Sequence, residues 1–98
     1  MDRNDQLERS LARLLSDLLP TLKDPRIPLV VTVERVHLTP DKRNARVQVS
    51  TLDESAEDDM LAALNGASGF LQRRVADELE LRLTPRLSFH SDPLEVLR

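Results

Sequence analysis

Cysteine, tryptophan and tyrosine are absent from the sequence, and glycine occurs only twice in 98 residues. Without cysteine there is no disulfide framework, no thiolate nucleophile and no Cys-ligated zinc, and a reducing compartment suits the chain. Two phenylalanines are the only aromatic residues, so the apolar share of 40% is carried by Leu, Val and Ala and the core must be aliphatic. Both Phe70 and Phe89 are expected to point inward, which leaves base stacking nearly without side chains. The two glycines, Gly66 and Gly69, lie in one segment, so neither kind of Gly-rich nucleotide loop can be built. Long apolar runs are missing too: the strongest, Leu29 to Val33, is far too short to cross a bilayer, and the N-terminus is charged. A cytoplasmic protein with no membrane association is expected.

The net charge of −3 argues at first against a polyanionic partner. Its distribution changes that reading. Of 17 acidic residues, five (Asp53, Glu54, Glu57, Asp58 and Asp59) fall within one short stretch, and the other 12 face 14 Lys and Arg. At the start of a helix such carboxylates are favoured by the positive end of the dipole. They lack the glycine and the ordered spacing of a calcium loop, so no metal site is expected.

The length is that of one domain spanning residues 1–98. Leu7, Leu11, Leu14, Leu15, Leu18 and Leu19 recur in steps of three and four, which predicts an amphipathic helix. Asp5 and Glu8 resemble a capping box at its start, and Pro20 limits its end. Thr21 to Pro28 reads as a structured turn. Leu29 to Leu38 reads as a strand whose apolar phase changes near Glu34, as a bulge would require. Thr39 to Arg43 supplies hairpin chemistry, and Ala45, Val47 and Val49 alternate with polar residues in a second strand. Leu61, Leu64, Ser68, Leu71, Val75 and Leu79 keep one helical face across both glycines, yet two glycines so close make an unbroken helix there improbable. Leu87 and Phe89 mark a last short strand ended by Pro93. The expected fold is α+β, in the order αββααβ, with a three-stranded sheet covered by helices.

Catalytic chemistry is not expected, and neither is a cofactor or a small-molecule substrate. His37 and His90 sit on different strands without a third ligand in metal-site spacing. Ser88, His90 and Asp92 match a hydrolytic triad in residue type, but alternate residues on a strand lie about 6–7 Å apart, too far for proton transfer. Ser68 lacks the spacing of a nucleophile elbow.

A helix, two strands, a helix broken by glycine and a final strand is the element order of a type II KH domain, and Gly66-Ala67-Ser68-Gly69 is a literal GxxG. At such a break backbone can approach a nucleic acid closely, and the next helix offers free N–H groups to phosphate. The flanking residues are more specific. Asp24-Pro25-Arg26, Thr32-Val33, Pro40-Asp41, Ala45-Arg46-Val47, Val49-Ser50, Leu64-Asn65, Ala67-Ser68-Gly69-Phe70-Leu71, Leu81-Arg82, Pro85, Leu87, Phe89 and Asp92 together resemble the ribosome-binding factor A family of bacterial small-subunit assembly factors. That family has an Ala-x-Gly kink in place of GxxG, which Ala67-Ser68-Gly69 matches. Gln72, Gln48 and Arg86 stand where its members often have Arg, Tyr and Glu. The resemblance implies binding to the immature 30S subunit and its 16S rRNA, promotion of subunit maturation and rRNA processing, and a role that is often prominent in the cold.

Candidate RNA contacts follow from both readings. Gly66, Ala67, Ser68 and Gly69 form the break; Arg73 and Arg74 follow it, off the apolar stripe; Lys42 and Arg43 occupy the hairpin turn, Arg46 the polar strand face, and Arg26 the turn before the first strand. The alternatives are solvated surface charges and, for Arg26, a local role beside Asp24. A monomer reading the shape and backbone of folded rRNA is expected. A protein-docking scaffold using the acidic loop and the sheet face, and a general single-strand RNA binder, remain open.

Overall fold

A computed structural model of the chain describes residues 3–97. The first helix, α1 (Arg3–Leu18), contains no glycine, proline or β-branched residue, and it buries Leu11, Leu15 and Leu18. Complete burial of a leucine of this kind stabilises the fold by about 1.5–3 kcal/mol. Pro20 then converts the chain to a 3-10 turn, Leu19–Thr21, closed by the Thr21 hydroxyl donating to Leu18 O at 2.6 Å. The expected capping box does not form, because the helix is already under way at Arg3. Glu8 turns instead to the sheet, where Oε2 accepts the Leu38 amide at 2.7 Å.

The sheet has the order β1 (Thr32–Leu38), β2 (Asn44–Ser50), β3 (Arg86–His90), with β1 antiparallel and β3 parallel to the central β2. The register jumps between Val33 and Arg35, leaving Glu34 opposite no residue; this is the bulge that the phase change predicts. It turns Val36 and Leu38 into the core. The strand starts at Thr32 rather than at Leu29. Thr32 pairs with Ser50, the last residue of β2, so the preceding residues have no ladder partner, and Leu29 is fully exposed at 102%.

Ala45, Val47 and Val49 meet Leu87 and Phe89 on the inner face, beneath α1 and the helix pair α2 (Glu57–Gly66) and α3 (Ser68–Leu79). Met60 and Ala63 join this buried layer although they lie off the apolar stripe read from the sequence. The opposite face carries Arg35, His37, Arg46, Gln48, Ser88 and His90, with Arg46 between His37 and Ser88 in the register.

Helix side chains bond to both edges of the sheet. On the β1 side Glu8 meets the Leu38 amide at the end of the strand. On the β3 side, Asn65 accepts the Phe89 amide at 2.8 Å and donates to Phe89 O at 3.1 Å, as a neighbouring strand would, and Gln72 Oε1 accepts the Leu87 amide at 3.1 Å. Pro93 does end β3, but it also opens a further helix, α4 (Pro93–Val96), absent from the sequence reading. Asp92 is its N-cap, accepting from the Leu94 amide at 2.9 Å, and proline at the first helical turn is favoured.

Helix α3 stops at Glu80, whose φ of 50° is left-handed. Glycine adopts this conformation without the Cβ clash, so Glu80→Gly should raise stability by about 0.5–1 kcal/mol, read as a higher urea midpoint at unchanged slope.

Candidate nucleic-acid interface

The interruption of the helix pair falls on Ala67, with φ −91° and ψ 1°, rather than on either glycine. The Ala67 amide still bonds Ala63 O at 3.0 Å, and Leu71 is the next to bond back, to Ala67 O at 3.0 Å. The amides of Ser68, Gly69 and Phe70 are thus the free N–H groups of the α3 N-terminus, and no side chain caps them. Ser68 turns its hydroxyl to Asn65 O, 2.7 Å away. Neither glycine has positive φ, and a Cβ at Gly66 would meet nothing. A Cβ at Gly69 would lie 3.9 Å from Arg73 Nη1, so the Arg73 guanidinium reaches back over Gly69 toward the break.

The break also suits the sheet edge beneath it. Asn65 and Gln72 lie seven positions apart, about 10.5 Å along an unbroken helix, whereas the amides they bind are two strand residues apart, about 6.7 Å. Interrupting the axis between them helps both side chains to reach Phe89 and Leu87. Gln72, which departs from the family pattern, therefore serves the edge of β3.

Around the break the structure gathers some of the predicted residues and separates others. Arg73, Gly69 and Gln72 share a shallow depression with Thr84. Arg74 pairs with Glu78 at 3.5 Å, one turn farther from the break. Lys42 and Arg43 lie in a turn built by Thr39 and Asp41, with Lys42 at φ 63°. Asp41 accepts the Arg43 amide and the Thr39 hydroxyl, which hold its carboxyl below the usual aspartate range. Arg43 O accepts the Arg86 amide at 2.8 Å, so the turn abuts the start of β3, two residues beyond Thr84. Arg86, not singled out from the sequence as a contact, adds an exposed cation beside the turn, on the sheet face it shares with Ser88 and His90.

Arg26 is elsewhere. It binds Asp24 through Nε at 3.1 Å and Nη2 at 2.8 Å, the local arrangement that its neighbour suggested, and this pairing lowers the Asp24 pKa and raises that of Arg26. Asp53 is likewise lowered, by the Ser55 hydroxyl and amide, as it caps the 3-10 turn before α2. Folded-state values below the ordinary 3.8 mean that these aspartates stabilise the fold above that pH, and that the contribution is lost as pH falls through the folded values. The acid limb of a urea-midpoint titration should therefore flatten in Asp41→Asn.

Two expectations need correction. Phe70 does not point inward: it is 42% exposed in the first turn of α3, three residues before Arg73. Its position one residue before the buried Leu71, off the apolar stripe, was the available signal. The distance argument against Ser88 and His90 also fails, since His90 Nε2 lies 2.9 Å from Ser88 Oγ and Nδ1 lies 2.9 Å from Glu95 Oε2. Glu95, and not Asp92, is the carboxylate that meets the imidazole, and this chain of contacts ties α4 to β3.

An uncapped helix start at the break of an αββααβ frame, closed over one face of a three-stranded sheet, defines a type II KH-like domain. The ribosome-binding factor A model matches residues 3–95. The chain belongs to the ribosome-binding factor A family. It is 44% identical over 91 residues to ribosome-binding factor A of Nitrosococcus oceani, covering 91% of this chain and 68% of that protein. The crystal structure of ribosome-binding factor A from Thermus thermophilus superposes with a TM-score of 0.81 at 34% identity, covering 91% and 96% of the two chains. A Thermus thermophilus ribosome-binding factor A homology model fitted into the cryo-EM map of a 30S complex matches with a TM-score of 0.65 at 34% identity, covering 89% and 88%.

Proposed function

We propose that the chain is a single-domain, non-enzymatic assembly factor that binds the immature 30S subunit in the cytoplasm and promotes maturation of its 16S rRNA. The observation that carries this reading is the uncapped start of α3, where Arg73 reaches back over Gly69 and Phe70 is exposed in the first turn, in a member of a ribosome-binding family. Free amides at a helix start attract phosphate, and the guanidinium over Gly69 adds a charge-assisted donor.

Lys42, Arg43 and Arg86 extend the contact along the hairpin turn, and Arg46 offers a further contact on the polar sheet face. Arg74, held by Glu78, contributes less, and Arg26 lies with the acidic segment. With Phe70 outward, one unpaired base can stack beside the break, so recognition combines backbone readout with a single aromatic platform. The Ser88–His90–Glu95 contacts fasten α4 and perform no chemistry in this reading.

The test is co-sedimentation of the purified chain with 30S subunits and with precursor subunits at low salt. Association that weakens with rising salt, as expected for a handful of neutralised phosphates, is the predicted result. Failure to sediment with either particle sinks the proposal. Equally tight retention on short unstructured RNA makes the chain a general single-strand binder.

A further inference from the structure

A groove of about 500 Å³ opens on the acidic side of the molecule, away from the residues gathered at the break. Leu29, at 102% exposure, and Leu52, at 86%, line it together with Pro25, Pro28 and Val30. Its walls are preformed. The Thr51 hydroxyl donates to Val30 O at 2.8 Å, and Asp24 holds the turn at Arg26 through the side-chain contacts above and through the Arg26 amide at 2.9 Å. Single exposed leucines are ordinary on a protein surface; here two of them line one groove together with Pro25, Pro28 and Val30.

The surroundings narrow the occupant. Asp53 lines the groove, Glu54 follows it, and Asp59 lies near enough to Arg26 to interact with its charge, while the charge of Arg26 itself is met by Asp24. A phosphate backbone would meet apolar walls and like charge here. A polypeptide carrying an apolar anchor between lysines or arginines would meet complementary chemistry on both counts.

We propose that this groove docks a basic segment of a small-subunit protein, seating an apolar side chain between Leu29 and Leu52 with Lys or Arg against Asp53 and Glu54. This rests on the small-subunit reading only for where the partner is met. The full chain would then hold the particle at two places of opposite character, rRNA at the break and protein at the groove.

Photo-crosslinking to purified 30S subunits tests it, with p-benzoylphenylalanine placed at Leu52 in one full-length chain and at Arg43 in another. The expected result is a crosslink from position 52 to a Lys/Arg-rich protein segment. A crosslink from 52 to rRNA or to a second copy of this chain, or none while the chain still sediments with subunits, overturns the proposal and leaves the assembly-factor reading intact. Loss of sedimentation for the unmodified chain removes both. Leu29→Ser with Leu52→Ser, at positions whose exposure makes misfolding no concern, should weaken subunit affinity about tenfold while the rRNA crosslink from position 43 persists. Glu54→Lys decides the sign of the partner: weaker binding supports a basic segment, and tighter binding shows that nucleic acid lies there instead.

Discussion

Phe70→Ala is expected to lower affinity for small ribosomal subunits about 5- to 100-fold without unfolding the protein. Stacking one base on an aromatic ring contributes about 1–3 kcal/mol, which spans that range. The ring is already 42% exposed, so its removal leaves no cavity in the aliphatic core. Arg73→Glu should produce a loss of similar size by a different route, since it removes a cation over Gly69 and places a carboxylate before the free amides of α3. The two are separable by salt. A plot of log affinity against log salt keeps its slope in Phe70→Ala and loses about one unit in Arg73→Glu. Arg74→Glu, whose native side chain is engaged by Glu78, serves as the comparison and should have the smaller effect. Undiminished binding by Phe70→Ala would mean that the ring does not meet RNA.

The second large effect is on stability, and its site is Asn65. This side chain gives β3 both bonds that a fourth strand would supply, one to the Phe89 amide and one to its carbonyl. Asn65→Leu keeps the branching at Cγ but leaves both groups without their protein partner in a partly buried place, at a cost of about 1–3 kcal/mol for each group that water does not reach. Gln72→Leu removes a single bond, to Leu87, and should cost less. Urea unfolding gives the totals, and amide exchange at Phe89 and Leu87 assigns them. If Asn65→Leu leaves both the urea midpoint and the Phe89 exchange unchanged, the edge does not depend on this contact.

Where one physical rule dominated, the sequence was readable. The leucine stripe of α1, the alternation of β2 and the phase change at Glu34 each report a single periodicity, and each appears in the fold. Legibility failed where a residue answers to a distant partner. Glu8 looked like half of a capping box because Asp5 is three residues before it, yet its partner is the Leu38 amide, thirty residues away. Leu29 to Val31 look like strand, but a strand needs a neighbour and β2 has ended opposite them. Ser88 and His90 looked too far apart because backbone spacing says nothing of where two side chains lean. Phe70 differs: an aromatic ring is expected inward by residue type, whereas its place on the helical wheel, one residue before the buried Leu71, turns it outward. At the break, the glycines drew attention to the right segment while the interruption itself belongs to Ala67.

The closure of the β3 edge has a consequence for how the chain is made. β2 acquires its second neighbour, and Asn65 and Gln72 their bonding partners, only when Arg86 to His90 has been synthesised. Until then a nascent chain carries an open, Val-rich strand whose two flanking helices have amides prepared for a segment not yet emerged. The sheet is therefore completed only once Arg86 to His90 has emerged, and a ribosome stalled before Arg86 would present an aggregation-prone edge.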